Sequence, residues 1–136
     1  MINEQEIHDI CEKHNIKNYT INSDGSIDVD GDVLLYNRGL SKTPIKFNKV
    51  SGYFNCSWEK LTTLEGCPKE IGGNFYCSHN KLKTLEHSPL IIGGRFYCMN
   101  NPLESLEGLN ININRLKCDN KDKLIRKTKL IQIQNL

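Results

Sequence analysis

Cysteine is the residue type in this chain with the greatest potential for chemistry, and four of the six cysteines recur at a nearly constant spacing. On adjacent strands of a sheet their sulfurs would lie roughly 5 Å apart, close enough for metal or redox chemistry to be considered. Zinc sites, however, use close Cys-x-x-Cys or Cys/His pairs, and the sequence has none. We therefore interpret these cysteines as small, buried residues of a repeat, and we predict no metal site or cofactor. The recurring residues are Cys56, Cys77, Cys98 and Cys118.

An aspartate-rich segment, residues 22–32, has the composition of a calcium-binding loop. If Asp24-Gly25 is placed at the fifth and sixth loop positions, Gly31 falls at the twelfth, where a bidentate glutamate is required. We therefore interpret the segment as a turn.

Two glycine pairs and four histidines are the remaining candidates for chemistry. The glycine pairs precede predicted strands and do not open helices, so they are typical of turns and not of phosphate-binding loops. No histidine has a spacing that favours cysteine catalysis. With no catalytic residue to name, we expect the protein not to be an enzyme. The glycine pairs are Gly72-Gly73 and Gly93-Gly94.

The cysteines belong to an internal repeat of 21 residues, which predicts a solenoid. We expect about five coils, with a parallel β-sheet on one face and irregular turns carrying Pro44, Pro68 and Pro89 on the other. The columns that recur are Phe54, Phe75 and Phe96; Leu61, Leu82 and Leu103; and Leu64, Leu85 and Leu106.

The segments flanking the repeat are predicted to cap its two ends. Residues 1–28 form an N-terminal cap, with a helix that starts at Asn3 and a β-hairpin that turns at Asp24-Gly25. Residues 29–118 form the solenoid, and residues 119–136 form a C-terminal cap, which we expect to be a helix from about Lys121, with a strand as the alternative. A composition of 38% hydrophobic and 25% charged residues is that of one compact unit.

Strand alternation predicts which residues face solvent, because neighbours of an inward Phe or Cys point outward. The resulting face is roughly 20 to 25 Å long and holds four of the five tyrosines beside the only tryptophan. Tyr and Trp are favoured at protein interfaces, so we predict that this face binds another protein. The alternative is that the tyrosines only stabilise the sheet. The predicted contact residues are Tyr36, Tyr53, Asn55, Trp58, Asn74, Tyr76, Ser78, His79, Arg95, Tyr97, Met99, Arg115 and Lys117.

Charge along this face changes from acidic to basic toward the C-terminal end, although the net charge is only +2. Arg95, Arg115, Lys117 and the lysine-rich tail therefore offer a second hypothesis, a nucleic-acid-binding accessory protein. No apolar run approaches the roughly 18 residues of a membrane span, so no membrane association is expected. The acidic, polar start does not fit a signal peptide, which favours the cytoplasm. Self-association through the exposed face or an unpaired edge stays open.

The central coils carry the pattern Phe-x-Cys-x-x-Asn-x-Leu-x-x-Leu, complete at residues 75–85 and 96–106. This pattern resembles the leucine-rich repeat, and in particular the short leucine-rich-repeat-like proteins of tailed bacteriophages and some bacteria. The resemblance covers residues 29–118 and implies a binding scaffold. If it extends to a phage origin, the partner is a host protein in the host cytoplasm, such as an enzyme or defence protein that is inhibited. Arg38 and Glu59 depart from the asparagine column, so the first two coils need another way to satisfy the turning backbone.

Overall fold

The chain winds into a β-solenoid with a helix at each end in the computed structural model, which describes residues 2–136. The helices are α1, Glu4–Lys13, and α2, Lys121–Gln134, with a short 3-10 helix at Ile113–Arg115. The strands are β1 Tyr19–Ile21, β2 Ile27–Val29, β3 Val33–Leu34, β4 Phe47–Val50, β5 Phe54–Asn55, β6 Glu70–Ile71, β7 Phe75–Tyr76, β8 Ile91–Ile92, β9 Phe96–Tyr97 and β10 Leu116–Lys117.

The strands form two five-stranded sheets. Sheet I has the order β1-β2-β4-β6-β8, and it is parallel except for the antiparallel pair β1 and β2. Sheet II has the order β3-β5-β7-β9-β10 and is parallel throughout. Phe54, Phe75 and Phe96 lie side by side in sheet II, which confirms the 21-residue step and the solenoid with parallel strands. The structure has about four turns between its first and last coil strands, and sheet I was not predicted.

Glycines form the corner between the two sheets because neighbouring coils approach closely there. A Cβ atom at Gly72 would lie 2.1 Å from the Ser51 carbonyl oxygen, and one at Gly93 would lie 2.1 Å from the Gly72 carbonyl oxygen. The Gly73 N–H donates to the Gly52 carbonyl at 2.8 Å, so each corner bonds to the previous one. Backbone contact between coils therefore requires glycine at these positions.

The core consists of the side chains that stack from coil to coil between the sheets. The rings of Phe54, Phe75 and Phe96 are fully buried, with centroids 5.9 and 4.7 Å apart along the stack. Such pairs contribute about 0.5–1.5 kcal/mol each beyond area burial. The leucines at 61, 64, 82 and 85 are also buried. A repeat of 21 residues thus places each apolar side chain next to its equivalent in the neighbouring coil.

Asn80 and Asn101 form hydrogen bonds with backbone groups where two of the coils turn. Asn80 Oδ1 accepts from the Leu61 N–H at 2.9 Å, and its Nδ2 donates to the carbonyls of Cys56 and Cys77 at 3.0 Å. Asn101 repeats this arrangement one coil later, with Oδ1 accepting from the Leu82 N–H at 3.1 Å. The asparagine column is therefore a hydrogen-bonded ladder between coils.

Glu59 occupies the asparagine position in an earlier coil, and its carboxylate accepts hydrogen bonds from the turning backbone. The side chain is buried and accepts from the N–H groups of Asn37, Gly39 and Leu40 at 3.0, 3.1 and 3.1 Å. Three donors around one carboxylate hold the first-coil turn without an amide group.

Both ends of the solenoid are capped as predicted. Asn3 is the N-cap of α1, its Oδ1 accepts from the Glu6 N–H at 2.9 Å, and Ile7 and Cys11 are buried as part of the hydrophobic core. Strand β2 of the hairpin also pairs with β4, so the N-terminal cap continues directly into sheet I. At the other end, α2 confirms the helical prediction, and the strand alternative is wrong. Leu124 of α2 is buried over the last coil.

Candidate binding face

The outward side of sheet II carries the predicted contact residues, and none of them lies in the core. Alternation with the buried phenylalanines and cysteines therefore gave the correct side for the residues of the strands. Trp58 and His79 have the parity of the buried residues, and they reach solvent because their left-handed backbone ends the alternation. Tyr36, Trp58, Arg95, Met99, Arg115 and Lys117 are exposed. Tyr53, Asn55, Asn74, Tyr76, Ser78, His79 and Tyr97 are half-buried.

Tyrosines cluster along this side of the sheet, where Tyr76 and Tyr97 form a column on adjacent strands and Tyr53 lies diagonal to it. The Tyr53 and Tyr76 rings meet edge to face with centroids 6.1 Å apart, and the Tyr76 and Tyr97 rings stack at 5.2 Å with an interplanar angle of 7°. Tyr36 lies at the N-terminal end with 66% of its surface exposed, and the Arg38 guanidinium lies 4.3 Å from its ring centroid. Ring contacts among Tyr53, Tyr76 and Tyr97 hold these three side chains in fixed orientations.

A second column borders the tyrosines where the chain leaves sheet II. Trp58, His79 and Asn100 all have left-handed backbone conformations, with φ of 62°, 58° and 53°. The Trp58 and His79 rings stack at 3.6 Å with an interplanar angle of 10°, yet Trp58 remains 55% exposed. Asparagine tolerates this conformation, whereas a bulky side chain there costs roughly 1–2 kcal/mol. A large ring is thus held in solvent at an unfavourable backbone position.

Two polar residues of the face form hydrogen bonds between coils, a role the sequence did not indicate. Asn74 Oδ1 accepts from the Arg95 N–H at 2.8 Å, and Asn74 Nδ2 donates to the Tyr76 hydroxyl at 2.9 Å. Ser78 Oγ accepts from the Met99 N–H at 3.0 Å. These side chains extend the short strands of sheet II, so the aromatic residues are the stronger candidates for contacting a partner.

Arg115 also has a role within the solenoid. Its Nη1 donates to three carbonyls of the last glycine corner, those of Ile92, Gly93 and Gly94, at 3.0, 2.8 and 3.0 Å. The guanidinium thus caps carbonyls that a further coil would have paired. Arg95 and Lys117 remain as exposed basic residues of the face.

A cleft of about 470 Å³ lies at the N-terminal end of the face, between the end of α1 and the first strands of sheet II. Leu34, Tyr36 and Tyr53 line one side, and Lys13 and His14 of the helix end line the other. Burial, followed by the nearby Lys13 charge, lowers the pKa of His14 and so favours its neutral form. This volume falls in the range of ligand pockets. The cleft depends on how α1 packs, which residue spacing could not predict.

The repeated cysteines lie on the opposite, inward side of sheet II. All six cysteines are free thiols, and Cys56, Cys77 and Cys98 are buried. Burial is the main reason that the pKa values of Cys56 and Cys77 are raised well above the ordinary thiol value. Within residues 2–136, no group of three or more His, Cys, Asp or Glu side chains could hold a metal ion.

A second cleft of about 470 Å³ lies on the outer face of sheet I, away from the aromatic columns. Lys49 and Glu70 form an ion pair across it at 3.4 Å, and Ile91, which is 57% exposed, lines its end. The sequence indicated neither this cleft nor the sheet that forms it.

The fold and this face define a β-solenoid repeat protein with a helical cap at each end. Comparison with known proteins found no matching family model, no similar curated protein and no similar solved structure. Neither helix within residues 2–136 has the length and apolar character needed to cross a bilayer.

Proposed function

We propose that the protein is a non-enzymatic scaffold that binds another protein through the aromatic face of sheet II. The observation that carries the proposal is Trp58, a large ring that is 55% exposed although its backbone is in the left-handed conformation. Strain of this kind persists where the side chain has a use other than stability. We define the aromatic face as Tyr36, Tyr53, Trp58, Tyr76, His79 and Tyr97.

The dimensions and rigidity of the aromatic face suit a protein partner. Five strands at the usual interstrand spacing of about 4.8 Å span about 19 Å, so one partner could contact the rings of several coils at once. Stacking already fixes Tyr76, Tyr97 and His79, so a partner would meet rings whose freedom is largely lost before binding. The cleft beside Tyr36 would accept an anchor side chain at one end of the contact.

The proposed biological setting follows from the resemblance to short leucine-rich-repeat-like proteins of tailed bacteriophages. On that basis the partner is a bacterial host protein in the host cytoplasm, and binding inhibits a host enzyme or defence protein. A rigid scaffold suits inhibition by occlusion, because occlusion needs only surface complementarity.

Affinity capture from bacterial lysate tests the proposal with two matched variants. Trp58→Asn replaces the ring with the residue type found at the equivalent left-handed position, Asn100, and should leave the fold intact. Ile91→Ala removes a side chain of similar exposure, 57%, from the other sheet. We expect wild type and Ile91→Ala to retain the same partner and Trp58→Asn to lose it. Equal retention by Trp58→Asn, with an unchanged melting temperature, would refute a role for the aromatic face.

A nucleic-acid-binding function is the second candidate, and the observation that favours it is a cluster of basic side chains at one end. Lys123, Arg126, Lys127 and Lys129 of α2 are exposed, as is Lys117 of β10. The affinity for a phosphate backbone would fall steeply as the salt concentration rises, whereas the affinity of an interface built on aromatic residues would change little. Titration of single-stranded DNA at low and high salt separates the two functions.

A further inference from the structure

We infer that Cys118 and Cys98 form an oxidation-sensitive pair, in which a hydroperoxide oxidises Cys118 and Cys98 then closes an intramolecular disulfide. The inference concerns the inward side of sheet II and is independent of the proposed partner binding.

Strand register places the two thiols next to each other. In the parallel pair β9 and β10, Leu116 lies opposite Phe96 and Lys117 lies opposite Tyr97, so the next residues are Cys118 and Cys98. The Cys98 N–H donates to the Lys117 carbonyl at 2.8 Å, which continues the pairing to this point. Neighbouring strands are about 4.8 Å apart, within the 4.4–6.8 Å range of Cα separations across disulfides.

Solvent access distinguishes this pair from the other stacked cysteines. Cys56 and Cys77 lie in the same cysteine column as Cys98 and Cys118, but both are fully buried. Cys118 is half-buried, and it is the only one of the six cysteines that is not buried. A hydroperoxide can therefore reach Cys118 from solvent, while the buried Cys98 lies beside it on the neighbouring strand.

The surroundings of Cys118 favour the reactive thiolate. A hydrogen bond from Cys98 and, more weakly, the Lys121 ammonium lower the pKa of Cys118, against opposing effects of burial and of the Asp119 carboxylate. The same hydrogen bond and burial raise the pKa of Cys98. Because Cys118 is also the thiol that solvent reaches, it is the attacking sulfur, and the buried Cys98 keeps its proton until the second step.

The chemistry balances with the hydroperoxide as the only oxidant. The Cys118 thiolate attacks the terminal peroxide oxygen, the O–O bond breaks, and an alcohol, or water from hydrogen peroxide, leaves after taking up a proton. Cys118 is then a sulfenic acid. The Cys98 sulfur attacks the Cys118 sulfur, the S–O bond breaks, and the hydroxide leaves as water with the Cys98 proton. Two thiols have lost two electrons, and the hydroperoxide has gained them.

Peptide mapping by mass spectrometry after treatment of the folded, reduced protein with hydrogen peroxide tests the inference. We expect one crosslinked peptide pair, joining Cys98 to Cys118 within a single chain and lighter by two hydrogens. Cys118→Ser should abolish the crosslink. Cys98→Ser should instead leave a sulfenic acid at Cys118, detected as its dimedone adduct, and Cys11→Ser should behave as wild type.

Several results would overturn the inference. These are no crosslink in wild type, a crosslink among Cys56, Cys67 and Cys77, or a disulfide between two chains on a non-reducing gel. Because Cys118 is half-buried and serine is nearly isosteric, Cys118→Ser remains folded enough to interpret even if Cys98→Ser does not.

Discussion

The substitution Glu59→Ala removes the acceptor that holds the turn of the first coil. In the wild-type protein the buried carboxylate accepts three backbone N–H groups, those of Asn37, Gly39 and Leu40, at 3.0 to 3.1 Å. Alanine leaves all three without their acceptor. We therefore expect a marked loss of stability from a single substitution outside the apolar core.

The magnitude follows from the exposure of each donor. Asn37 and Gly39 are exposed, so water replaces the carboxylate there and each lost bond costs about 0.5–1 kcal/mol. Leu40 is half-buried, and an unsatisfied donor at such a site costs about 1–3 kcal/mol. The sum is about 2–5 kcal/mol, a large part of the 5–15 kcal/mol typical of a folded domain.

Urea unfolding followed by far-UV circular dichroism measures this loss. Glu104→Ala is the matched control, because Glu104 is exposed, and its effect should stay within about 0.5 kcal/mol. Glu59→Asn should recover about half of the loss, since Asn80 bonds the equivalent Leu61 N–H at 2.9 Å. If Glu59→Ala were as stable as Glu104→Ala, the carboxylate would not be what holds this turn.

Three further substitutions test other parts of the solenoid. Gly93→Ala places a Cβ 2.1 Å from a backbone oxygen and should cost at least about 1–3 kcal/mol, whereas Gly39→Ala meets only a side-chain atom at 3.7 Å and should be neutral or stabilising in urea unfolding. His87 has φ of 66° where the preceding coil has a glycine, so His87→Gly should raise the free energy of unfolding by about 0.5–1 kcal/mol, and a loss would contradict this. Hydrogen bonds from Ser26 hold the pKa of Asp24 far below its ordinary 3.8, so the ionised carboxylate contributes to stability above pH 3.8 and this contribution is lost on acidification. In acid titrations, the stability of Asp24→Asn should therefore fall less steeply below about pH 4 than that of the wild type. An unchanged slope would refute the assignment.

The solenoid could be predicted because its columns repeat the same residue types. Phe, Cys and Leu recur at one step through several coils, and a period of that kind has few other structural explanations. The caps followed from local signals, such as Asn3 at the start of α1. Sheet I could not be predicted in this way, because a strand such as Glu70–Ile71 contributes one buried residue, whereas the Phe-x-Cys alternation of sheet II marks two inward positions in each coil.

Side-chain roles on the face were only partly predictable. Alternation gives the side of the sheet on which a residue lies, but hydrogen bonds between coils depend on how the coils stack. Asn74, Ser78 and Arg115 were expected to contact a partner, and the structure bonds each of them to a neighbouring coil. Glu59 was recognised as a departure from the asparagine column, yet its three donors became clear only from the folded turn.

Site-specific photo-crosslinking tests the central claim, partner binding through the aromatic face, most directly. A photoreactive phenylalanine analogue is introduced at Trp58 in one protein and at Ile91 in another, two positions of nearly equal exposure on different sheets. We predict a crosslinked partner of one mass from position 58 and none from position 91. Crosslinking to the same partner from position 91 alone would place the interface on sheet I and contradict the account.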